Sequence, residues 1–408
     1  MQLTQQIKIK VSYQQELILS ALSEKCRLIY NFALTERKEA YEQGKKINYI
    51  KQQNDLPSIK EKFPEYSWVY SKVLQYTLRT LDADYKSFFA LRKKGDSKAQ
   101  LPHYKGKKFF TTMVYNQSGF KVGKGFVELS HKHPLKTKLR FVIPDKFRFE
   151  MVQQVSLYKK GDFYYLSLVY VKNPQKQTIN FDFQAFDLGV MKHTAVNTSG
   201  RFVEFKNQRP DRYWEKPVAE LQSRRDHCKK FSNKWHQLNT LMNDCKRKSS
   251  NQLKDFQHKL SRKIVDNTKA NTIIIGDLNI KEMCNKKHKG LNKSLHNTGN
   301  IARFTRFLTY KAQLLGKRIV EISERKTSKI CCLCRKEKAM PLYKRVYECD
   351  CGNNIDRDKN SSVNIMLRFL SENALWTSYW QFVSNLRHTG LTIVSHSQEA
   401  TSSIKVKP

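Results

Sequence analysis

The sequence predicts an α/β domain in its carboxyl-terminal half, preceded by an α lobe and an all-β lobe. Three observations carry this prediction: helical apolar spacing before residue 100, alternation between residues 101 and 172, and short apolar strands interleaved with helices beyond residue 179. A chain of 408 residues is long enough for about two to four cores.

The elements follow in order. Residues 1–10 alternate like a strand and lead into a helix from Gln14 to about Gln43, where Leu17, Ala21, Leu22, Cys26, Ile29, Tyr30 and Ala33 recur at helical spacing. A second helix from about Val69 to Leu91 repeats the pattern with Val73, Leu74, Leu78, Leu81, Phe88 and Phe89. After Leu101 the pattern alternates, most clearly over Phe163–Val171, with turn glycines at 119, 123, 125 and 161. This predicts an antiparallel barrel that the first strand joins. A polar linker, Asn173 to Thr178, separates it from the α/β part.

There, Ala185–Val190 is a short apolar strand interrupted by Asp187, and an acid inside a buried strand must be paired or metal-bound. His193–Gly200 is a second strand ending in a turn. Tyr213 to about Asn267 reads as a basic helical hairpin suited to lie along a phosphate backbone, although any one of its lysines fits a solvated face equally well. Next come a strand from Asn271 to Asn279, a helix from Ile301 ended by Gly316, and a strand from Arg318 to Ser323 that stops at Glu324. A β-α-β unit of this kind predicts parallel neighbours whose carboxyl ends open onto one crevice.

Composition constrains the partner. Seventy-six Lys and Arg against 36 Asp and Glu leave a formal charge of +40, a self-repelling excess that a polyanion would neutralise. Nucleic acid is therefore the expected partner. A membrane partner is not expected, because the basic residues are spread along the chain and no long apolar run or signal-peptide pattern is present. Nine cysteines, an odd and mostly scattered set, make a poor disulfide framework and predict a reducing interior. Cys26, Cys228, Cys245 and Cys284 read as small buried or idle thiols.

The remaining cysteines differ. Cys331 and Cys334, then Cys349 and Cys351 across a short basic hairpin, have the spacing of a four-thiolate zinc ribbon, with Cys332 as an extra thiol outside the ligand set. An acidic cluster, Asp356-Arg357-Asp358, follows closely.

Taken together, Phe186-Asp187-Leu188-Gly189, the strand Ile274-Ile275-Gly276-Asp277-Leu278-Asn279, the Tyr310 to Gly316 helix end, Thr327-Ser328 before the cysteine pairs, and Asp356-Arg357-Asp358 with Asn360 and Asn364 resemble the TnpB family. These are transposon-encoded RNA-guided DNA endonucleases related to type V CRISPR effectors and to Fanzor proteins. The resemblance implies an RNase H-like (RuvC) nuclease over 179–325 and 353–370, carrying the basic hairpin 213–267 and interrupted by a zinc-ribbon, target-binding insert over 326–352. It further implies an amino-terminal wedge β-barrel (1–12 and 101–175) with an inserted helical recognition lobe (13–100), and leaves 371–408 as a tail.

The resemblance also implies three acid ligands for two Mg²⁺ ions, and one is missing. Asp187 matches the first and Asp358 the third, while the middle strand carries Gly276 where the family has glutamate. Asp277 should face the other way on a strand. One reading is a guided DNA-binding repressor without cleavage. The preferred reading relocates the acid to Glu324, just before Thr327-Ser328, as in the Fanzor-like branch, with Glu321 and Glu282 as weaker substitutes. Cleavage of target double-stranded DNA beside a short flanking motif is then expected, with a guide RNA from the transposon end as partner and one structural Zn²⁺. Lys72 and Gln75 sit where the family presents polar side chains to the flanking duplex, although an ordinary exposed helix face is the preferred reading of these two. A monomer at the nucleoid of a prokaryotic cytoplasm is the expected setting.

Overall fold

β1 (Gln2–Ile9) runs directly into α1 (Tyr13–Glu42), which begins at a reciprocal cap. The Gln15 amide donates to the Ser12 hydroxyl, and the Ser12 amide donates to the Gln15 side chain. Two first-turn donors are thereby satisfied. The computed structural model describes residues 1–388 apart from 145, 148, 178–179, 278–300 and 342. The buried stripe of α1 holds Ile18, Leu22, Cys26, Ile29 and Ala33, whereas Leu17 lies off it and is exposed. α2 (Tyr49–Asn54), α3 (Leu56–Lys62) and α4 (Ser71–Lys93) follow, and α4 packs on α1 through Val73, Leu74, Leu78 and Leu81 while Phe89 faces outward.

Six strands come next: β2 (Met113–Asn116), β3 (Phe120–Gly123), β4 (Phe126–Leu129), β5 (Leu139–Val142), β6 (Met151–Lys160) and β7 (Phe163–Val171). All pair antiparallel, and β1 joins them along the length of β7. Among the described residues they form two sheets, β1-β7-β6-β2 and β3-β4-β5, in place of one hydrogen-bonded barrel. Alternation reveals which side of a strand is buried but not which strand lies beside it. Met1–Asn173 make up the first of two compact units.

The second unit is built on one five-stranded sheet. β8 (Phe183–Leu188), β9 (Lys192–Asn197) and β10 (Phe202–Lys206) form an antiparallel meander, and α5 (Pro210–Asp226) and α6 (Asn233–Asn267) form the basic hairpin. β11 (Thr272–Asp277), α7 (Ile301–Leu314) and β12 (Arg318–Ser323) give the β-α-β unit, with β11 paired parallel to β8 on one side and β12 on the other. α7 stops where Gly316 adopts φ 67°, and a Cβ there would collide with the Lys176 carbonyl. The short pair β13 (Val346–Glu348) and β14 (Asn354–Asp356) precedes α8 (Arg357–Glu372) and α9 (Trp376–His388).

The sheet order is β10-β9-β8-β11-β12. One face, with Phe183, Ala185, Val196, Ile274 and Ile322, shares a core with Val363, Met366 and Phe369 of α8. The other face, with Phe186, Leu188, Ala195, Ile273 and Ile275, packs on α6 and α7. Phe382, Val383 and Leu386 of α9 belong to the first core, so the chain beyond Ser371 contributes buried structure as far as His388.

Candidate active site and metal centre

Strand alternation decides which acids meet. On β8, Asp187 follows Phe183 and Ala185 at two-residue steps and so shares the face covered by α8. On β11, Gly276 follows Ile274 on that face, and Asp277 falls on the opposite one and is exposed. β12 continues the pattern through Val320 and Ile322 to Glu324, one residue past the strand end. Gly276 pairs with Ile322, and Ile275 with Phe186, so Gly276 stands level with Asp187 on one side and two residues short of Glu324 on the other.

The Glu324 side chain lies over Gly276. A Cβ added at Gly276 would overlap Oε1, Cγ and Cδ of Glu324, far inside van der Waals contact. The glycine is therefore a physical requirement of the glutamate beside it. Glu324 Oε1 is buried and has no hydrogen-bond partner among the described residues. An unpaired buried carboxylate oxygen is costly unless it is protonated or bound to a cation. Burial, reinforced by Asp187 and Asp277, pushes Glu324 up to about 8. Burial and Asp358 likewise push Asp187 up to about 7, against the opposing pull of Arg357 and the Ser361 hydroxyl.

Asp358 enters from the first turn of α8. The Asp356 side chain caps that helix, accepting the amides of Asp358 at 2.9 Å and Lys359 at 3.2 Å. Lys192 of β9 binds Asp356 at 3.0 Å and Glu204 at 2.9 Å, and stands 3.8 Å from Asp358. Arg345 and Arg357 approach Asp358 at 3.8 and 4.0 Å. Burial and Asp356 still leave Asp358 above the usual carboxylate range. Acids that repel one another this way, with hard oxygen donors, fit divalent cations such as magnesium. Their ligand oxygens do not form a group within 4.8 Å of one another among the described residues, where the cysteines alone do so. A two-ion site does not demand it, because ligands on opposite sides of an ion pair about 4 Å apart stand further from each other.

A pH dependence follows. Asp187 and Glu324 are raised on folding, so the folded metal-free chain keeps protons that the unfolded chain has released. Their contribution to stability is complete below about pH 4 and is lost as the pH rises through about 7 and 8. Thermal melts of metal-free protein followed by circular dichroism should show the melting temperature falling from about pH 5 to 8, with Asp187→Asn plus Glu324→Gln flattening the trend.

The four predicted zinc ligands come together. Sγ of Cys331 lies 3.7 Å from that of Cys351, and Cys334 lies 3.6 Å from Cys349. A tetrahedral site with ~2.3 Å bonds has sulfur–sulfur edges of roughly 3.8 Å, so these thiols fit a zinc ion. Cys332 is buried but falls outside the group. Its amide donates to the Asn360 side chain, while the Asn353 amide donates to the sulfurs of Cys331 at 3.3 Å and Cys332 at 3.6 Å. Stripping metal with a strong chelator should lower the melting temperature by about 5 °C or more, recovered on adding Zn²⁺ and checked by metal analysis.

Elsewhere, Lys72 is exposed and Gln75 half-buried on α4, and Glu321 is exposed on β12. Glu282 and Cys284 lie outside the described residues. Sequence reasoning missed Lys192, because nothing in a lone lysine after a turn predicts that it bridges three acids.

Comparison with known proteins finds similar families and folds. A family model for the IS605 OrfB protein, described as a probable transposase, matches residues 167–287, and the Cas12f1-like TNB domain matches 302–365. A helix-turn-helix domain model matches residues 1–46, which here fold as β1 and α1. A Streptomyces pristinaespiralis protein provisionally named an RNA-guided DNA endonuclease is 26% identical over 359 residues, 85% of this chain and 84% of that one. These matches point to the TnpB/IS605 transposase family, each family model covering part of this chain. The TnpB-like protein MJ0751 of Methanocaldococcus jannaschii is 33% identical over 141 residues, 34% of this chain and 50% of its own. The Cas12f1 chain solved in complex with sgRNA and target DNA shares the fold of this chain, with a TM-score of 0.58 over 86% of this chain and 82% of that one at 16% identity. No helix among the described residues is long and apolar enough to cross a membrane.

Proposed function

We propose that this chain is a transposon-encoded RNA-guided DNA endonuclease whose second acid ligand is Glu324, the arrangement of the Fanzor-like branch. The observation that carries the reading is the Glu324 carboxylate filling the space of the Cβ that Gly276 lacks, on the sheet face that bears Asp187 and meets the helix of Asp358. The sheet order β10-β9-β8-β11-β12, an antiparallel meander followed by two parallel strands, supports an RNase H-like, RuvC-type domain. The named relatives and the Cas12f1 fold support guide RNA and target DNA as partners.

In this reading Asp187, Glu324 and Asp358 hold two Mg²⁺ ions, which when bound activate water and stabilise the leaving 3′ oxygen in phosphodiester hydrolysis. The chain's own residues provide the framework. β8 and the end of β12 fix two acids in one crevice, and the Asp356 cap sets the third at a helix start. Lys192 balances Asp356 and Glu204 at the rim. The four cysteines hold a structural zinc, and Lys72 and Gln75 face the flanking duplex. A guide RNA reads the target by base pairing.

The test is to purify the chain with its flanking transcript, sequence the bound RNA, and challenge a matched plasmid library with Mg²⁺. Metal-dependent double-strand cuts beside a common short motif are expected. Guided binding without cuts under any divalent ion would instead establish the repressor reading.

A further inference from the structure

Glu324 has an unusual foundation. Residue 276 belongs to β11, which is hydrogen-bonded on both sides, whereas Glu324 follows the end of β12, the outermost strand of the sheet. A ligand placed there needs another support, because the sheet no longer fixes its backbone.

That support comes from one face of α8. Asn360, Asn364 and Arg368, spaced four residues apart and so stacked along the helix, all reach the backbone between Ser323 and Ile330. The Asn364 amide donates to the carbonyls of Thr327 at 2.8 Å and Ile330 at 2.7 Å. The Asn360 amide donates to the same two carbonyls, at 3.4 and 2.8 Å, and its oxygen accepts the Cys332 amide. Arg368 donates to the carbonyls of Ser323 and Arg325, the residues on either side of Glu324. Thr327 closes the grip, with its amide and hydroxyl both bonded to the Glu324 carbonyl at 3.1 and 2.9 Å. Asn360 and Asn364 are buried, so these bonds are shielded from water.

We propose that Asn360, Asn364 and Arg368 are positioning residues that hold Glu324 at a fixed distance from Asp358, doing from α8 what neighbouring strands would do for an acid at residue 276. The proposal rests on Glu324 being a metal ligand. Because Asp358 sits on the same helix, the grip ties two ligands to one rigid element, and the Cys332 contact ties the first cysteine knuckle to it as well.

Arg368 offers the cleanest test, since its guanidinium lies at the surface and its loss leaves the core intact. Mn²⁺ binding to the full chain is read by electron paramagnetic resonance for the parent, Arg368→Ala, Arg368→Lys, Glu324→Ala and the Arg368→Ala/Glu324→Ala double variant, with zinc content and melting temperature measured alongside. Arg368→Ala should weaken Mn²⁺ binding about tenfold, Arg368→Lys less, and Arg368→Ala should add nothing once Glu324 is gone. Zinc content should stay unchanged. Parental Mn²⁺ affinity in Arg368→Ala, or the same weakening with and without Glu324, would overturn the grip while leaving Glu324 a ligand. Parental affinity in Glu324→Ala would overturn the ligand assignment and the grip with it.

Discussion

Glu324→Ala is expected to cut a guide-matched DNA at least about 1000-fold more slowly than the parent while binding guide and target as before. In the proposed site the carboxylate contributes charge where the cations would collect, and its loss would leave Asp187 and Asp358 alone. Folding should not suffer. The glutamate is buried with an unpaired oxygen and raised to about 8, so removing it relieves repulsion with Asp187. A cleavage time course on supercoiled plasmid, with filter binding on the same preparation, separates lost chemistry from lost binding. Asp187→Ala and Asp358→Ala should behave similarly in cleavage, whereas Glu321→Ala, on an exposed strand position, should cut like the parent.

The second large effect is steric. Gly276→Ala adds a single methyl group, yet it lands on the Glu324 side chain. Either the strand shifts or the carboxylate leaves its place, and overpacking of this kind costs about 1–3 kcal/mol. Gly276→Ala is therefore expected to lower the melting temperature and to lose most cleavage, although alanine is ordinarily mild and brings no charge. In a Glu324→Ala background the same substitution should be close to neutral for stability, because the space is then free. A thermal-melt cycle over the four combinations checks the coupling directly.

Much of the site was legible in the sequence for identifiable reasons. Asp187 stood out because a charge in an apolar strand needs a partner, and the cysteine spacing defined the knuckle because zinc geometry tolerates few alternatives. Gly276 and Glu324 could be linked because a β-α-β unit makes adjacent parallel strands, which is how β11 and β12 pair. The physical reason for the glycine was not legible. Only the folded structure brings the Glu324 side chain into that space. Nor does the sequence reveal the row of Asn360, Asn364 and Arg368, since polar residues four apart on a helix ordinarily face water. The division of the amino-terminal strands into two sheets escaped for a different reason, because alternation carries faces and not partners. α9 escaped because its aromatic residues follow a stretch with no motif to attach it to the core.

The central claim is that Glu324 occupies in space the position vacated at residue 276. Moving the acid back tests it: the Mg²⁺-dependent cleavage rate of Gly276→Glu/Glu324→Ala, measured beside the parent and Glu324→Ala. The double variant should recover to within about tenfold of the parent and cut far faster than Glu324→Ala, because residue 276 lies on the same face at the level of Asp187. Parental cleavage by Glu324→Ala, with the double variant no different, would contradict the account.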